Sequence, residues 1–161
     1  MTEWRDVPGY EGRYQVSDDG RVLSLPRKGA RGRMLRLTPF VRGYRAVGLS
    51  MYGTATTRLV HHLVLLAFVG PRPVGAVTRH LDGDPANNVL SNVAYGTQVE
   101  NQADTIRHGR HAQLRKTHCP QGHPYAGDNL AMRRDKNGRR CVICWRAQAS
   151  GRSAPTKAQT S

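Results

Sequence analysis

This sequence of 161 residues has few aromatic side chains, no long apolar run and few cysteines, and each shortage excludes a class of protein. Aromatic residues make up only 6% of the chain, whereas it contains 17 glycines and 9 prolines. We therefore expect small modules rather than one large hydrophobic core, and small modules often need a metal to hold them together. No apolar run reaches the roughly 18 residues of a membrane-spanning helix, and the opening MTEW lacks the pattern of a signal peptide.

The three cysteines, Cys119, Cys141 and Cys144, lie near the C-terminus. Their odd number makes a poor disulfide framework and a better set of metal ligands, which is consistent with a reducing cytosol. Three residues separate Cys119 from His123. Together with His123, the cysteines provide four thiolate and imidazole ligands that suit a tetrahedral, structural Zn²⁺ site. His118 is the alternative fourth ligand because it adjoins Cys119, although spacing favours His123. Three free cysteines on a loop are the alternative to zinc.

Acidic residues are also scarce: 11 aspartates and glutamates face 25 lysines and arginines, which gives a formal net charge of +14. Such an excess favours a polyanionic partner, and nucleic acid is the partner that we expect. A basic surface that is simply solvated is the alternative. The predicted DNA contacts lie in two segments: Arg27, Lys28, Arg31 and Arg33 in a glycine-rich loop or strand edge, and Arg133, Arg134, Arg139 and Arg140 near the cysteines.

The first part of the chain predicts a small β unit. Tyr14 and Val16 alternate with polar residues, Asp19 and Gly20 supply a tight turn, and residues 21–25 return as a second strand. More β pattern follows as far as residue 60. The next segment, 61–70, is short and almost wholly apolar, and we interpret it as a buried helix whose first histidines, at 61 and 62, are structural.

The segment after this helix predicts a small unit of two strands and a helix. The predicted elements are a strand over 77–81, a turn over 82–88, a strand over 89–96 and a helix over 98–108. Thr97 and Glu100 fit a capping box at the start of the helix, and Gly109 is its expected stop. This order places His80 and Asn101 on opposite sides of one small cleft. A neutral imidazole and an oxygen-bound cation suit hydrolysis of a phosphodiester.

These residues resemble a known family. The segment RHLDGDPANNVLSNVAYGTQVEN resembles the HNH endonucleases of the His-Me finger, or ββα-metal, superfamily. EWRDVPGYEGRYQVSDDGRVLSL resembles the small module that precedes the HNH unit in phage and intron-encoded homing endonucleases, and CPQGHPY with GRRCVIC resembles a zinc-binding segment appended to such proteins. The resemblance extends over about residues 2–145. It implies hydrolysis of double-stranded DNA with Mg²⁺ or Mn²⁺ as the catalytic ion and Zn²⁺ as a structural ion.

The resemblance also implies roles for individual residues. His80 matches the general base that activates the attacking water, and Asn101 matches the final asparagine, whose amide oxygen binds the divalent ion. Asn87, or its neighbour Asn88, matches the central asparagine that holds the loop and the histidine in position. Asn92 matches a further family position that we interpret as structural.

One departure from the family pattern is Arg79. Close relatives carry Asp, Asn or His there, immediately before the base, as a second metal ligand. The interpretation that we favour is that Asn101 holds the ion alone, with water and phosphate, and that Arg79 contacts phosphate and offsets charge in the transition state. Asp82 or Asp84 could supply the missing oxygen, although turn formation alone is the reading that we prefer for both. The third interpretation is an inactive enzyme that only binds DNA.

Together these features predict an α+β protein in four parts. They are an N-terminal antiparallel β module that contacts DNA (1–52), an HNH nuclease unit (53–112), a zinc-stapled finger (113–146) and a disordered tail (147–161), whose composition cannot bury a core. The predicted function is metal-dependent nicking or double-strand cutting of DNA in the cytoplasm, which is that of the host cell if a phage encodes the chain. Intron homing and work with phage packaging proteins are both compatible with it. The alternative is a catalytically inactive DNA-binding protein on the same scaffold.

Overall fold

The computed structural model describes residues 1–133 and 138–151 and divides the chain into two compact units, residues 1–104 and 105–161. Small antiparallel sheets and short helices confirm the predicted α+β class. No helix in the part of the chain that the structure describes has the length and apolarity to cross a bilayer.

The first sheet contains four antiparallel strands in the order of the sequence. They are β1 (Trp4–Asp6), β2 (Tyr14–Ser17), β3 (Val22–Ser24) and β4 (Arg33–Met34). The predicted hairpin is present, because β2 and β3 pair and Gly20 in the turn between them has a φ of +83°. Tyr14 and Val16 point into the core, as their alternation predicts. The glycine-rich segment ends in β4, the edge strand of this sheet, so the strand-edge interpretation is confirmed for Arg33.

A second antiparallel sheet leads into the first helix. Its strands are β5 (Thr38–Pro39), β6 (Arg45–Met51) and β7 (Thr54–Leu59), followed at once by α1 (Val60–Phe68). The predicted boundary between residues 52 and 53 lies in the turn that joins β6 to β7, two strands that pair over six positions. The residues on the two sides of this predicted boundary therefore belong to one sheet. The division of the chain into four parts stays a prediction.

The predicted strand, turn, strand and helix follow. They are β8 (Val77–His80), β9 (Val93–Gly96) and α2 (Gln98–Arg107), and a single turn of 3₁₀ helix (Leu90–Asn92) precedes β9. The capping box forms as predicted. The Thr97 amide donates to Oε2 of Glu100 at 2.7 Å, and the Glu100 amide donates to Oγ1 of Thr97 at 3.2 Å. These reciprocal bonds satisfy amides that the first turn of a helix leaves without partners, and they fix where α2 begins.

One hydrophobic core joins several of these elements. Its buried members come from the β1–β2 connection, β2, β3, β6, α1 and β9: Val7, Tyr10, Tyr14, Val16, Val22, Val47, Leu49, Val60, Leu63, Val64, Leu65 and Val93. A second link joins β1 to the end of α1, where the Arg5 guanidinium donates to the carbonyls of Ala67 and Phe68 at 3.4 Å and stacks on the Phe68 ring. A cation at these carbonyls satisfies groups that the helix leaves unpaired.

The described residues of the second compact unit form several short elements. They include α3 (Ala112–Arg115), a turn of 3₁₀ helix (Gly127–Asn129), β10 (Leu130–Met132), β11 (Arg139–Cys141) and α4 (Val142–Ala149), and β10 and β11 pair as antiparallel strands. The expected tail is corrected at its start, because residues 147–149 belong to α4. The sequence there, RAQA, has the propensity to extend the helix that the cysteine segment starts. The rest of the predicted tail, from residue 152, lies outside the described residues.

The β2–β3 turn provides a test of how the first sheet supports the loop that follows β8. Gly20→Ala should lower the free energy of unfolding more than Gly9→Ala. The two glycines have φ values of +83° and +81°, so a side chain strains the backbone at both by about 1 kcal/mol or more. At Gly20 a Cβ atom would also lie 2.9 Å from Cβ of Asn88, whereas at Gly9 nothing lies within 4 Å. Urea denaturation measures both losses. Equal losses would contradict the close approach of the turn to Asn88.

Candidate active site and candidate metal centre

His80 is the last residue of β8, where it pairs with Val93 of β9. Its half-buried ring is surrounded by other rings: the centroid of Tyr44 lies 5.8 Å away and that of His61 lies 4.9 Å away, at an interplanar angle of 84°. Nε2 of His80 is buried and makes no hydrogen bond with the described residues.

The environment of His80 keeps its imidazole neutral. Burial is the largest influence and lowers the pKa of His80 below its ordinary value of 6.5, against a smaller raising effect of a hydrogen bond with Asn88 and of the carboxylates of Asp82 and Asp84. His61 is more strongly affected, because burial lowers its pKa to about 3. Both rings are therefore neutral at pH 7, as a proton acceptor must be.

The turn after β8 is held by a network around Asp82. Its Oδ1 accepts from the Asp84 amide at 2.7 Å and from Nδ2 of Asn92 at 2.9 Å, and its Oδ2 accepts from Nδ2 of Asn87 at 2.7 Å. Oδ1 of Asp84 accepts from the Ala86 amide at 2.9 Å. Both oxygens of Asp82 are thus used inside the turn, which supports turn formation for the two aspartates rather than the ligation considered from the sequence.

The two adjacent asparagines have different surroundings. Asn87 is half-buried and bonds to Asp82, whereas Asn88 is buried, donates from Nδ2 to the Ala86 carbonyl at 2.9 Å and interacts with the His80 ring. Asn92 is also buried, and its Oδ1 accepts from the Asp82 amide at 2.9 Å, which fits the structural role inferred from the sequence. Of the two candidates for the central asparagine, the structure brings Asn88, not Asn87, to the histidine.

Arg79 is committed to two carboxylates of α2. Its Nε donates to Oδ2 of Asp104 at 2.8 Å and its Nη1 to Oε1 of Glu100 at 2.9 Å. The Arg79 side chain is 13% exposed and that of Asp104 is 5% exposed. Gly96 makes room for this contact, because a Cβ there would lie 2.5 Å from Cδ of Arg79. The guanidinium expected to contact phosphate is therefore neutralised by the protein, and it ties the strand of His80 to α2.

Asn101 lies in the first turn of α2 and is half-buried, and its amide donates to the Thr97 carbonyl at 3.1 Å. Glu100, which directly precedes it, and Asp104, which lies about one turn later, are the partners of Arg79. The order of strand, turn, strand and helix thus brings His80 and Asn101 into one small unit. Their placement across a shared cleft stays a prediction.

Sequence reasoning missed the part that two other rings play around His80. Tyr44 and His61 pack against each other, with centroids 5.1 Å apart, and both pack against His80. His61 was interpreted as a structural residue of the buried helix, and it is indeed buried in α1. The only signal in the sequence was a polar residue at the start of an apolar helix, which does not reveal what it touches.

The second unit brings the predicted metal ligands together. Nδ1 of His123 lies 3.4 Å from Sγ of Cys119 and 3.3 Å from Sγ of Cys144. Sγ of Cys141 lies 3.7 Å from the same nitrogen, and the Sγ atoms of Cys119 and Cys144 are 3.7 Å apart. Tetrahedral zinc bound at its usual distances places sulfurs about 3.8 Å apart and sulfur and nitrogen about 3.5 Å apart. His118 is exposed and bonds to its neighbour Thr117, whereas His123 lies within reach of all three cysteines, which supports His123 as the fourth ligand.

The predicted DNA contacts differ in how free they are to reach a partner. Lys28, Arg31 and Arg33 are exposed, whereas Arg27 is half-buried and stacks on the Tyr14 ring. Near the metal cluster, three of the four predicted arginines are half-buried, and the fourth, at position 134, lies outside the described residues. Of these three, Arg139 stacks on Tyr125, Arg140 stacks on Trp145, and Arg133 pairs through its backbone with Gly138.

Comparison with known proteins agrees with this geometry. Residues 3–50 match the NUMOD4 motif and residues 58–103 match the HNH endonuclease family. The chain is 40% identical over 103 residues to the DNA endonuclease I-HmuI of Bacillus phage SP01, which covers 62% of this chain and 57% of that protein. It is 28% identical over 116 residues to the uncharacterized HNH endonuclease L245 of Acanthamoeba polyphaga mimivirus, over 72% of this chain and 33% of that one.

The fold is also similar to a solved structure of I-HmuI, which concerns DNA binding and cleavage by that HNH homing endonuclease. Its TM-score is 0.59 at 36% identity, over 67% of this chain and 60% of that chain. Residues 58–103, which include β8, β9 and the start of α2, thus match the HNH endonuclease family. The NUMOD4 match precedes them in the chain, so both segments match the kinds of module that the resemblance named. It spans little more than half the length of I-HmuI and a third of the mimivirus protein.

Arg79 provides the first test of this site. Arg79→Met should lower the free energy of unfolding by about 3 kcal/mol, because it removes the cation from a carboxylate that is almost fully buried. Adding Asp104→Leu should recover most of the loss, since neither charge then remains. Guanidinium denaturation measures both values. Arg21→Met is the control, because Arg21 pairs with Asp19 at the solvent-exposed surface and its loss should cost much less than that of Arg79. A single variant as stable as the control would contradict the role of the buried pair.

The cysteine cluster provides the second test. Elemental analysis of the purified protein should find about one zinc ion per chain. Cys144→Ser and His123→Ala should each lower the zinc content, because a site with four protein ligands loses affinity when one is removed. His118→Ala should retain the zinc, since His118 lies outside the cluster. Loss of zinc in the His118 variant but not in the His123 variant would reverse the assignment.

Proposed function

We propose that this protein is a metal-dependent DNA endonuclease in which His80 is the general base. The observation that carries the proposal is the environment of His80 within an HNH domain: its ring is buried enough to stay neutral, and Asn88 and two carboxylates lie where they stabilise the protonated form. A base needs both properties, because it must be free of its proton before the reaction and hold it afterwards.

The chain's own residues account for the proton transfer. The imidazole of His80 takes a proton from the water that attacks the phosphorus atom, and the bond from phosphorus to the leaving oxygen breaks. The imidazolium that forms is favoured by Asn88, Asp82 and Asp84. Tyr44 and His61 hold the ring from behind, so its orientation is fixed before substrate arrives.

Asn101 is the residue that would hold a divalent ion. Its carboxamide oxygen is the kind of ligand that a hard cation such as Mg²⁺ or Mn²⁺ accepts, and water and phosphate oxygens would complete the shell. Such an ion stabilises negative charge on the phosphate and the leaving oxygen. The carboxylates beside it, Glu100 and Asp104, are already neutralised by Arg79. The donor set therefore fits a weakly held ion rather than a high-affinity site.

The proposed substrate is double-stranded DNA. The net charge of +14 favours a polyanion. Lys28, Arg31 and Arg33 are exposed, and Arg33 lies in the edge strand β4 while the other two lie in the segment that leads to it. The relative I-HmuI, by its name and its solved structure, binds and cleaves DNA. We further propose that zinc at the cysteine cluster is structural, since four protein ligands leave no open position for catalysis.

The second candidate is a DNA-binding protein that does not cleave. One observation favours it: the position before His80 holds a cation, Arg79, which cannot ligate a metal ion. The surviving His80 and its neutral environment favour the first candidate, because a protein that only binds DNA does not need an unprotonated buried imidazole.

A plasmid nicking assay separates the two candidates. With Mg²⁺ or Mn²⁺ the protein should nick supercoiled plasmid, and His80→Ala should slow the reaction at least about 100-fold, the usual contribution of a general base. The rate should fall as the pH is lowered, with its midpoint below 6.5, because burial lowers the pKa of His80 and only the neutral ring accepts a proton.

Two controls make the outcome specific. Asn101→Ala should slow cleavage and raise the metal concentration required, whereas Gln102→Ala, an exposed neighbour on the same helix, should do neither. Intact plasmid together with a normal gel shift would support the DNA-binding candidate. A His80→Ala protein that nicks at the original rate would eliminate His80 as the base.

A further inference from the structure

The loop between β5 and β6, residues 40–44, which we call the β5–β6 tip, has an unusual backbone. It is closed by a bond from the Phe40 amide to the Tyr44 carbonyl at 2.8 Å and by one from the Gly43 amide to the Phe40 carbonyl at 3.1 Å. Between them Arg42 has φ +60° and ψ +23°. Arginine in this left-handed region is strained, and glycine or asparagine would adopt it more easily. Strain of this kind concentrates at binding sites and catalytic sites.

The β5–β6 tip also exposes apolar surface. Phe40 is 47% exposed and Val41, the next residue, is 67% exposed. The exposed Arg42 follows them directly, and Arg45, the first residue of β6, follows the tip. Apolar side chains beside guanidinium groups at the end of a hairpin combine the two properties with which proteins enter a DNA groove, namely apolar contact with sugars and base edges and cationic contact with phosphates.

The tip is fastened to the proposed active site at two points. Tyr44, its last residue, lies with its ring 5.8 Å from that of His80. Gly43 approaches the turn after β8 so closely that a Cβ atom there would lie 3.1 Å from Cγ of Pro85. A duplex with a phosphodiester bond at His80 must therefore pass beside the tip.

We propose that the β5–β6 tip enters a groove of the duplex next to the bond presented to His80, with Phe40 and Val41 against sugars and base edges and Arg42 on a phosphate. This inference rests on the proposed function and adds a second DNA contact to its active site. The occupant is double-stranded DNA rather than a protein, because every charged side chain at the tip is cationic and the chain as a whole carries +14.

Binding of a fluorescein-labelled 30-bp duplex of random sequence tests the proposal. It is measured by fluorescence anisotropy without added Mg²⁺ or Mn²⁺ and without a chelator, so that cleavage is suppressed and the proposed structural zinc is retained. The double variant Phe40→Ser/Val41→Ser should raise Kd at least about 10-fold while leaving the slope of log Kd against log salt unchanged, because it removes only apolar contact. Arg42→Gly should raise Kd and reduce that slope by about one, since one phosphate contact is lost. Its Tm should stay the same or rise, because glycine relieves the strained backbone.

Tyr52 provides the matched control. It is the other non-glycine residue with positive φ in the described part of the chain, it is 89% exposed, and it lies at the opposite end of β6, about 20 Å away. Tyr52→Ser should leave Kd and the salt slope unchanged. Kd of the double variant within twofold of the wild-type value, or an equal loss in Tyr52→Ser, would overturn the proposal. The assay measures binding and needs no cleavage. A wild-type protein that binds DNA but does not nick it would contradict the proposed function, while the Kd values of the tip variants would still test this proposal.

Discussion

The hydrophobic core shared by the NUMOD4 motif and the HNH domain is the constraint on which the candidate site depends. Two short strands and a polar helix cannot bury enough apolar surface to be stable alone. Here Val93 of β9 packs in the same core as α1 and the first sheet, and the turn of the β2–β3 hairpin touches Asn88. The position and the burial of His80 are therefore set by residues far away in the sequence.

That burial has an electrostatic consequence. Desolvation keeps His61 and His80 neutral, while the network around Asp82 holds two carboxylates near enough to favour a proton on His80 once it arrives. On the other side of β8 the charges are reversed, since Arg79 neutralises Glu100 and Asp104. Alternation along a strand sends neighbouring side chains to opposite faces, so β8 separates a nearly neutral base from a compensated ion pair.

The features that the sequence predicted well are those set by neighbours along the chain. The Asp19 and Gly20 turn and the Thr97 and Glu100 capping box depend on a few consecutive residues, and the Cys/His cluster follows from ligand spacing and valence. The partners of Arg79 could not be predicted in this way, because Asp104 is 25 residues away and becomes a neighbour only when α2 packs on β8. The choice of Asn88 over Asn87 likewise depends on which side chain the turn buries.

Several of the places where local rules fail in this fold lie in one region. Arg42 adopts a conformation that its side chain disfavours, His61 and His80 each bury a ring nitrogen without a hydrogen bond to the described residues, and Gly43 lies against Pro85. Each of these is unfavourable for stability alone, and a core that only had to fold could replace the two histidines with apolar rings. Such exceptions persist when the surrounding structure compensates for them and function requires them. Their concentration around His80 therefore points to this end of the molecule independently of the family resemblance.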